Sequence, residues 1–582
     1  MLRYRYVHSA TEASTGYFTC EPYPAPTLEE ALDMLAASPL DDFLRRHIIT
    51  RLLTLDGQQT AELLDKALGK HTTEESGAAL HALSQELLQL RPDLAGLPFF
   101  ASSALGTDPA FAASRASSLI FLRWNKLPDR ELHRKWGALF RSNLQEHRAF
   151  KEPEPQNLPP LYPPFQDTAL HTSLPGTSQA FSAPFKVNLA QIRAALDNEP
   201  LVATALPLAE ETAALAEERL HSLGIIAGKE MRHTASLSPV ALLRPWNIRL
   251  LVKAGRHDFS LDGQGTTYGR GLSLAQARVS CLMEMVERAS CYVSVTEDGV
   301  TDRPEPCPLL YGSRQQILER CGAAIDPNDF PLEVPYAQES LYWIQGHGPG
   351  AEAAALWVPL QMAALFCNLD EIALMDAPGS TGIAAGSVME QAKVTALLEI
   401  FERDAEATTL FTKANCFKLE ADARINPEVA ALLANYAAHG INVQFQDLSG
   451  PMGVPVYQCF VMGPKGTLAR GYGAGLSGAQ AALSALTETP FPYPDGGPSG
   501  PMLRKLPTRL LHELPDYSLA SPAANLALLE ELLISNNRPP AYVTMTRRGL
   551  DFPVVRALVP GMQLSADSDA FSRVPLRLYM SR

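Results

Sequence analysis

Gly269-Arg-Gly-Leu-Ser-Leu-Ala-Gln-Ala-Arg-Val-Ser-Cys-Leu-Met-Glu284 decides how the chain is read, because it recurs. Gly473-Ala-Gly-Leu-Ser-Gly-Ala-Gln-Ala-Ala-Leu-Ser-Ala-Leu-Thr-Glu488 matches it at 10 of 16 positions. A middle copy runs Ala385-Gly-Ser-Val-Met-Glu-Gln-Ala-Lys-Val-Thr-Ala-Leu-Leu-Glu399. Each copy places glycine ahead of a segment of helical periodicity. Gln-Ala follows, then a hydroxyl residue, then a glutamate four residues on. The pattern predicts three turns that each open a helix.

Copies one and two continue alike, as Ser280-x3-Glu284-x2-Glu287-Arg288 and Thr395-x3-Glu399-x2-Glu402-Arg403. Steps of four and three put the hydroxyl and both carboxylates on one helix face. The next residue, arginine, points about 100° away. Two acids on one face repel unless cations or a divalent metal answer them. The flanks are small and apolar, as for packed helices, so the spacing points to paired carboxylates facing a shared Mg²⁺-bearing cleft. Hard oxygen ligands suit Mg²⁺, which usually also takes phosphate oxygens. A di-iron site would want Glu-x-x-His, and arginine stands there instead. The glycines of Tyr268-Gly-Arg-Gly271 and Gly382-Ile-Ala-Ala-Gly386 would let backbone N–H groups approach an anion. No G-x-x-x-x-G-K-[ST] is present.

Outward from the repeats, Ile248–Lys253, Val454–Val461 and Ala541–Met545 read as strands. Strands interleaved with helices predict an α/β domain of mixed sheets with packed helices. Residues 27–149 read as helices, opened by the capping-box pattern Thr27-Leu-Glu-Glu30. Between these parts Pro153, Pro155, Pro159, Pro160, Pro163, Pro164, Pro175 and Pro184 suggest a strap, since proline removes a donor and disfavours helix before it. The expected organisation is an all-helical N-terminal domain over 1–150, a linker over 151–185 and an α/β domain over 186–582. The chain has 46 prolines in 582 residues, and a second cluster, Pro490 to Pro501, reads as a loop.

The formal charge of −14 argues against a nucleic-acid protein with a broad basic surface. No run of about 18 apolar residues suggests a membrane span, and the N-terminus lacks a secretory signal pattern. The 8 cysteines form no C-x-x-C pair and read as reduced, mostly buried residues of a cytoplasmic protein.

These segments resemble the YcaO family, ATP-dependent enzymes that activate peptide-backbone amides. The resemblance covers roughly residues 205–565. It rests on Gly269-Arg-Gly271, Ser280 to Arg288, Ser380-Thr-Gly-Ile-Ala-Ala-Gly386 leading into Leu398 to Ala405, Gly473 with Glu488, and Pro553 to Gly561. It implies ATP and Mg²⁺ as cofactors, with Glu284, Glu287, Glu399 and Glu402 as metal ligands. Nucleotide or phosphate contacts would come from Thr212, Arg270, Ser280, Arg288, Ser387, Gln391 and Arg403, with Arg288 and Arg403 bracing the acidic cluster or reaching phosphate. It implies a peptide or protein substrate, cyclodehydration, thioamidation or a sulfur-insertion role, and a separate substrate-delivering or sulfur-transfer partner; a homodimer is also compatible. Gln391 stands where the family usually has glutamate, Ala205 where it has lysine, and Thr489-Pro-Phe-Pro-Tyr follows Glu488. These departures leave one alternative open, a catalytically degenerate scaffold that binds a peptide or protein partner.

Overall fold

The computed structural model describes residues 1–9, 17–72, 74–101, 120–162, 179–195, 206–350, 353–365, 368–375, 379–565 and 572–582. Two strands open the chain, β1 (Leu2–Ser9) and β2 (Tyr17–Pro22), followed by α1 (Leu28–Ala37), α2 (Asp42–Leu52), α3 (Gly57–Lys70) and α4 (Glu74–Leu90). Among the described residues helices follow from Leu28, and the all-helical expectation is corrected at Leu2–Ser9 and Tyr17–Pro22, which are strands. They alternate apolar and polar positions (Tyr4 and Tyr6 in, Arg3 and Arg5 out), and that period-2 pattern needs a sheet to join. The sheet is supplied by β3 (Val240–Ala254) and β4 (His257–Gly271). β1 pairs in parallel with β4 from Leu2↔Phe259 to Tyr6↔Gly263, and β2 lies outside β1. The two-residue strands Met231–Arg232, Val295–Thr296 and Gly299–Val300 complete a 7-stranded sheet.

One core spans this junction. Leu32, Leu44 and Leu80 of the helices are buried in the same cluster as Phe259, Leu261 and Leu282. Asp41 ties the two parts together. It caps α2 by accepting from the Leu44 N–H at 3.1 Å, and accepts from the Tyr4 hydroxyl at 2.6 Å and the Asn368 amide at 2.9 Å. Asp41→Ala would strand all three buried donors, so a loss of about 3–5 kcal/mol is expected in urea unfolding, with Asp41→Asn keeping part of it.

Two further sheets follow. The first has 6 strands: β5 (Leu341–His347), β6 (Ala355–Pro359), β7 (Ile383–Ala385), β13 (Ala541–Thr544), β14 (Val554–Leu558) and Leu309–Gly312. The second has 5, in the order β11-β10-β9-β8-β12, from β8 (Cys416–Glu420), β9 (Gln444–Asp447), β10 (Val456–Met462), β11 (Leu468–Ala474) and β12 (Thr508–Leu510). This is the expected mixed α/β architecture.

The three sequence copies are three strand-to-helix units. β4 runs into α7 (Leu274–Cys291), β7 into α8 (Met389–Thr408) and β11 into α9 (Gly478–Glu488). In each, a short link folds the helix back onto its own strand. α6 (Ala209–Ser222) packs beside α7. A satellite core joins α5 (Arg130–Glu146) to the C-terminal helix α11 (Leu576–Met580) through Trp136, Phe140, Tyr162, Val574 and Tyr579. Part of the proline strap belongs to it: Trp136 Nε1 donates to the Pro159 carbonyl at 3.0 Å, and the Tyr162 hydroxyl donates to that of Val574 at 2.7 Å. Among the described residues no helix is long and apolar enough to cross a membrane. Seven cysteines are free, with Cys20, Cys281, Cys291, Cys416 and Cys459 buried; Cys367 lies outside the described residues.

Candidate active site

The glycines of the repeats have a packing role. A Cβ on Gly269 would sit 2.0 Å from the Ala277 carbonyl oxygen and 2.4 Å from the Cys281 nitrogen. On Gly473 it would sit 2.2 Å from the Ala481 oxygen and 2.6 Å from the Ala485 nitrogen. Strand and helix backbones touch there, in the same place in copies one and three. The close approach is therefore to protein backbone, which is why Gln-Ala recurs: the alanine keeps that helix face flat. The glutamine reaches back along the chain. Gln276 Oε1 accepts from the Leu272 N–H at 2.9 Å, and Gln391 Oε1 from the Ser387 N–H at 2.9 Å.

The first two units then turn their glutamates back to the strand. Glu284 Oε2 accepts from the Tyr268 N–H at 2.7 Å, and Glu399 Oε2 from the Gly382 N–H at 3.1 Å. Gly382 has φ of +81°, and a Cβ there would meet the Ala557 oxygen at 2.5 Å, so no other residue fits that donor position without strain. The two helices bring their acids to one region. Glu399 and Glu284 both act on the charge of Glu287, and Glu399, Glu406 and Glu488 on that of Glu402.

The arginines do not point away from the acids. A guanidinium on its long stem returns to its own helix: Arg288 reaches Glu284 at 3.3 Å and Glu287 at 3.1 Å, and Arg403 reaches Glu402 at 3.4 Å and Glu406 at 2.9 Å. Helical angle alone misplaced them. Arg270 approaches Glu488 at 3.9 Å, and its Nε has no hydrogen-bond partner among the described residues. Arg556 of β14, fully buried, donates to the Gly379 carbonyl at 2.9 Å and faces Glu399 and Glu287. Sequence reasoning missed Arg556, and its signal was a lone arginine inside the apolar run Val554 to Val559. Glu406 and Glu488 complete the cluster.

The cluster holds six carboxylates (Glu284, Glu287, Glu399, Glu402, Glu406, Glu488) and four arginines (Arg270, Arg288, Arg403, Arg556). Fully ionised it carries two excess negative charges, which burial makes costly. Burial pushes Glu287 up to about 8 although Arg288 opposes it. Burial likewise pushes Glu402 up to about 8 against Arg403. Glu399 is raised by burial too. Burial works against the charge on Arg288 and Arg403, yet the surrounding glutamates hold both pKa values above the ordinary arginine range. Burial pulls Arg556 down to about 10. An excess of buried carboxylate that must hold protons when alone fits hard divalent cations. Among the described residues no three metal-ligating side chains are already gathered around one point. Such a cleft suits Mg²⁺, which takes one or two carboxylates and fills its remaining positions with water and phosphate oxygens.

The remaining candidates lie around this centre. Ser280 is exposed, one turn before Glu284. Ser387 and Gln391 shape the start of α8. Thr212 is buried on α6, and among the described residues it makes no hydrogen bond to a cluster side chain. Ala205 lies outside the described residues. A cavity of about 1430 Å³ opens beside the cluster, with Arg270, Arg403, Glu406 and Glu488 in its wall. The Pro490–Pro492 loop and Gly496–Gly497 form another side of it.

Residues 268–490 match the family model described as YcaO cyclodehydratase, ATP- and Mg²⁺-binding. That span contains all six carboxylates and all the cluster arginines except Arg556. An uncharacterized protein of Methanothermobacter thermautotrophicus is 27% identical over 380 residues, 58% of this chain and 94% of its own. Among solved structures, a heterocyclase in complex with substrate and cofactor is similar at a TM-score of 0.47 and 17% identity. That likeness covers 65% of this chain and 57% of the heterocyclase. YcaO from Methanopyrus kandleri bound with AMPPCP and Mg²⁺ is similar at a TM-score of 0.42 and 19% identity, over 62% of this chain and 93% of that one.

Proposed function

With a YcaO domain over residues 268–490 as the premise, we propose that this chain is an ATP- and Mg²⁺-dependent enzyme that activates a backbone amide of a peptide or protein. The observation that carries the reading is the half-buried carboxylate cluster, whose excess negative charge calls for divalent cations. Glu284, Glu287, Glu399 and Glu402 would hold Mg²⁺. The metal would supply charge neutralisation at the nucleotide phosphates, where phosphoryl transfer needs positioning and electrostatics above all.

The chain's own residues have definable tasks. Arg288, Arg403 and Arg556 keep the glutamates in place by ion pairing and hydrogen bonding, so the donor oxygens are set before a ligand arrives. Arg270, with its free Nε, and Arg403 line the cavity and present cations to a phosphate. ATP would supply the phosphoryl group that turns the amide oxygen into a leaving phosphate once a nucleophile has added to the amide carbon and given up its proton, with ADP as the other product.

The test is incubation with ATP·Mg²⁺ and any short peptide encoded beside the gene. ADP and phosphate should appear one-for-one with modified peptide, which loses a water in a cyclodehydration or exchanges oxygen for sulfur in a thioamidation. Modification without ADP formation would contradict the reading. The separate delivery partner and the homodimer remain part of this proposal, to be read from co-purification and sedimentation.

A further inference from the structure

β11 is the edge strand of the 5-stranded sheet, paired only with β10, from Val456↔Ala474 to Met462↔Leu468. Among the described residues, the backbone of 469–473 makes no hydrogen bond to any other segment on its outer side. An unpaired edge is a template for a further strand, and native proteins usually cover or charge it. Here residues 467–472 line the 1430 Å³ cavity instead. That volume exceeds the roughly 300–1,000 Å³ of a site for one small ligand, so it has room for more than a nucleotide.

The roof of the cavity is one stripe of α5, from the N-terminal part of the chain: His133, Arg134, Gly137, Ala138, Arg141 and Leu144. Gly137 and Ala138 stand in the middle of the stripe, and its arginines are Arg134, which pairs with Glu131 at 2.9 Å, and Arg141. Arg470, on β11 itself, donates to the Leu144 carbonyl at 2.9 Å, joining edge to roof. It meets no carboxylate among the described residues. Six arginines and three glutamates line the cavity, in a chain whose net charge is −14. Arg270 and Arg403 belong to the carboxylate cluster, and the other four arginines lie along the roof, the β11 edge and the C-terminal segment.

We propose that the outer edge of β11 receives an extended, acidic segment of the peptide substrate as an added strand, with Arg470 reading its carboxylates. The inference rests on the cavity being the substrate chamber of the proposed enzyme. Main-chain hydrogen bonds would give affinity and alternate side chains selectivity.

The test is fluorescence anisotropy on the full chain, without nucleotide and with ATP·Mg²⁺. The probe is a short labelled peptide of alternating Glu and Val. The controls are alternating Lys and Val, and the Glu–Val peptide N-methylated at every second residue. Binding of the acidic probe should be about tenfold or more tighter than that of either control. Arg470→Glu should remove that preference while leaving the ATP·Mg²⁺ shift in melting temperature intact. Equal binding of acidic and basic peptides, or no effect of N-methylation, would overturn the inference. Loss of the nucleotide shift in Arg470→Glu would do so too, by assigning Arg470 to the nucleotide. Acidic, N-methyl-sensitive binding in a chain without any ATP·Mg²⁺ shift would support the strand site while sinking the proposed enzyme.

Discussion

Gly269→Ala is expected to cost upwards of about 4 kcal/mol, the top of the range for point substitutions, and to leave little folded protein. The added Cβ would lie 2.0 Å from the Ala277 oxygen and 2.4 Å from the Cys281 nitrogen. Both are backbone atoms, which cannot rotate aside. Relief requires β4 and α7 to separate, and that would pull Glu284 off the Tyr268 N–H. Gly473→Ala should behave the same way in the third unit. Gly497→Ala is the control: nothing lies within 4 Å of its added Cβ, so a change within about 0.5 kcal/mol is expected. Urea unfolding of the three variants checks this. A Gly269→Ala chain that folds normally but loses nucleotide affinity would restore the anion-loop reading of the glycines.

Arg556→Met is expected to lose about 3–5 kcal/mol in metal-free protein near pH 8, because it leaves Glu287 and Glu399 buried without one of their cations. The loss should shrink on acidification. Glu287 has a folded-state pKa raised to about 8, above its unfolded value. Its contribution to stability is therefore fully present below the unfolded carboxylate range and is lost as pH rises through about 8. Near pH 5.5 the acid is protonated and needs Arg556 less. Denaturant midpoints of the variant and the parent at the two pH values give the comparison. A cost that is independent of pH would place Arg556 in packing alone.

The repeats made the three strand-to-helix units legible in the sequence, along with the glutamates that share a region. Their regularity comes from backbone contact, and contact restricts residue type strongly: glycine on the strand, alanine on the helix. The first strands were harder to see, because β1 docks on β4, some 250 residues away, and β2 pairs only with β1. No local pattern reports such a pairing. Arg288 and Arg403 were misdirected because helical geometry fixes Cβ directions and says little about where a guanidinium six bonds away comes to rest. Arg556 joined the cluster only through tertiary packing, whereas Glu406 pairs with Arg403 one turn along the same helix and Glu488 holds the third copy's glutamate position. The roof of the cavity came from α5, a helix with no chemical motif in its sequence.

The central claim is that the carboxylate cluster holds Mg²⁺ with ATP. Isothermal titration of ATP·Mg²⁺ into the full chain and into Glu399→Gln tests it most directly, with the melting temperature of each measured in parallel. The parent should give one saturable site. At a hundredfold excess over Kd it should gain about 2.7 kcal/mol of stability, seen as a clear rise in melting temperature. Glu399→Gln keeps the size of the side chain and removes its charge, so it should abolish both signals. Absence of heat and of any shift in the parent would contradict the account and favour the partner-binding scaffold, as would a Glu399→Gln chain that binds ATP·Mg²⁺ as well as its parent.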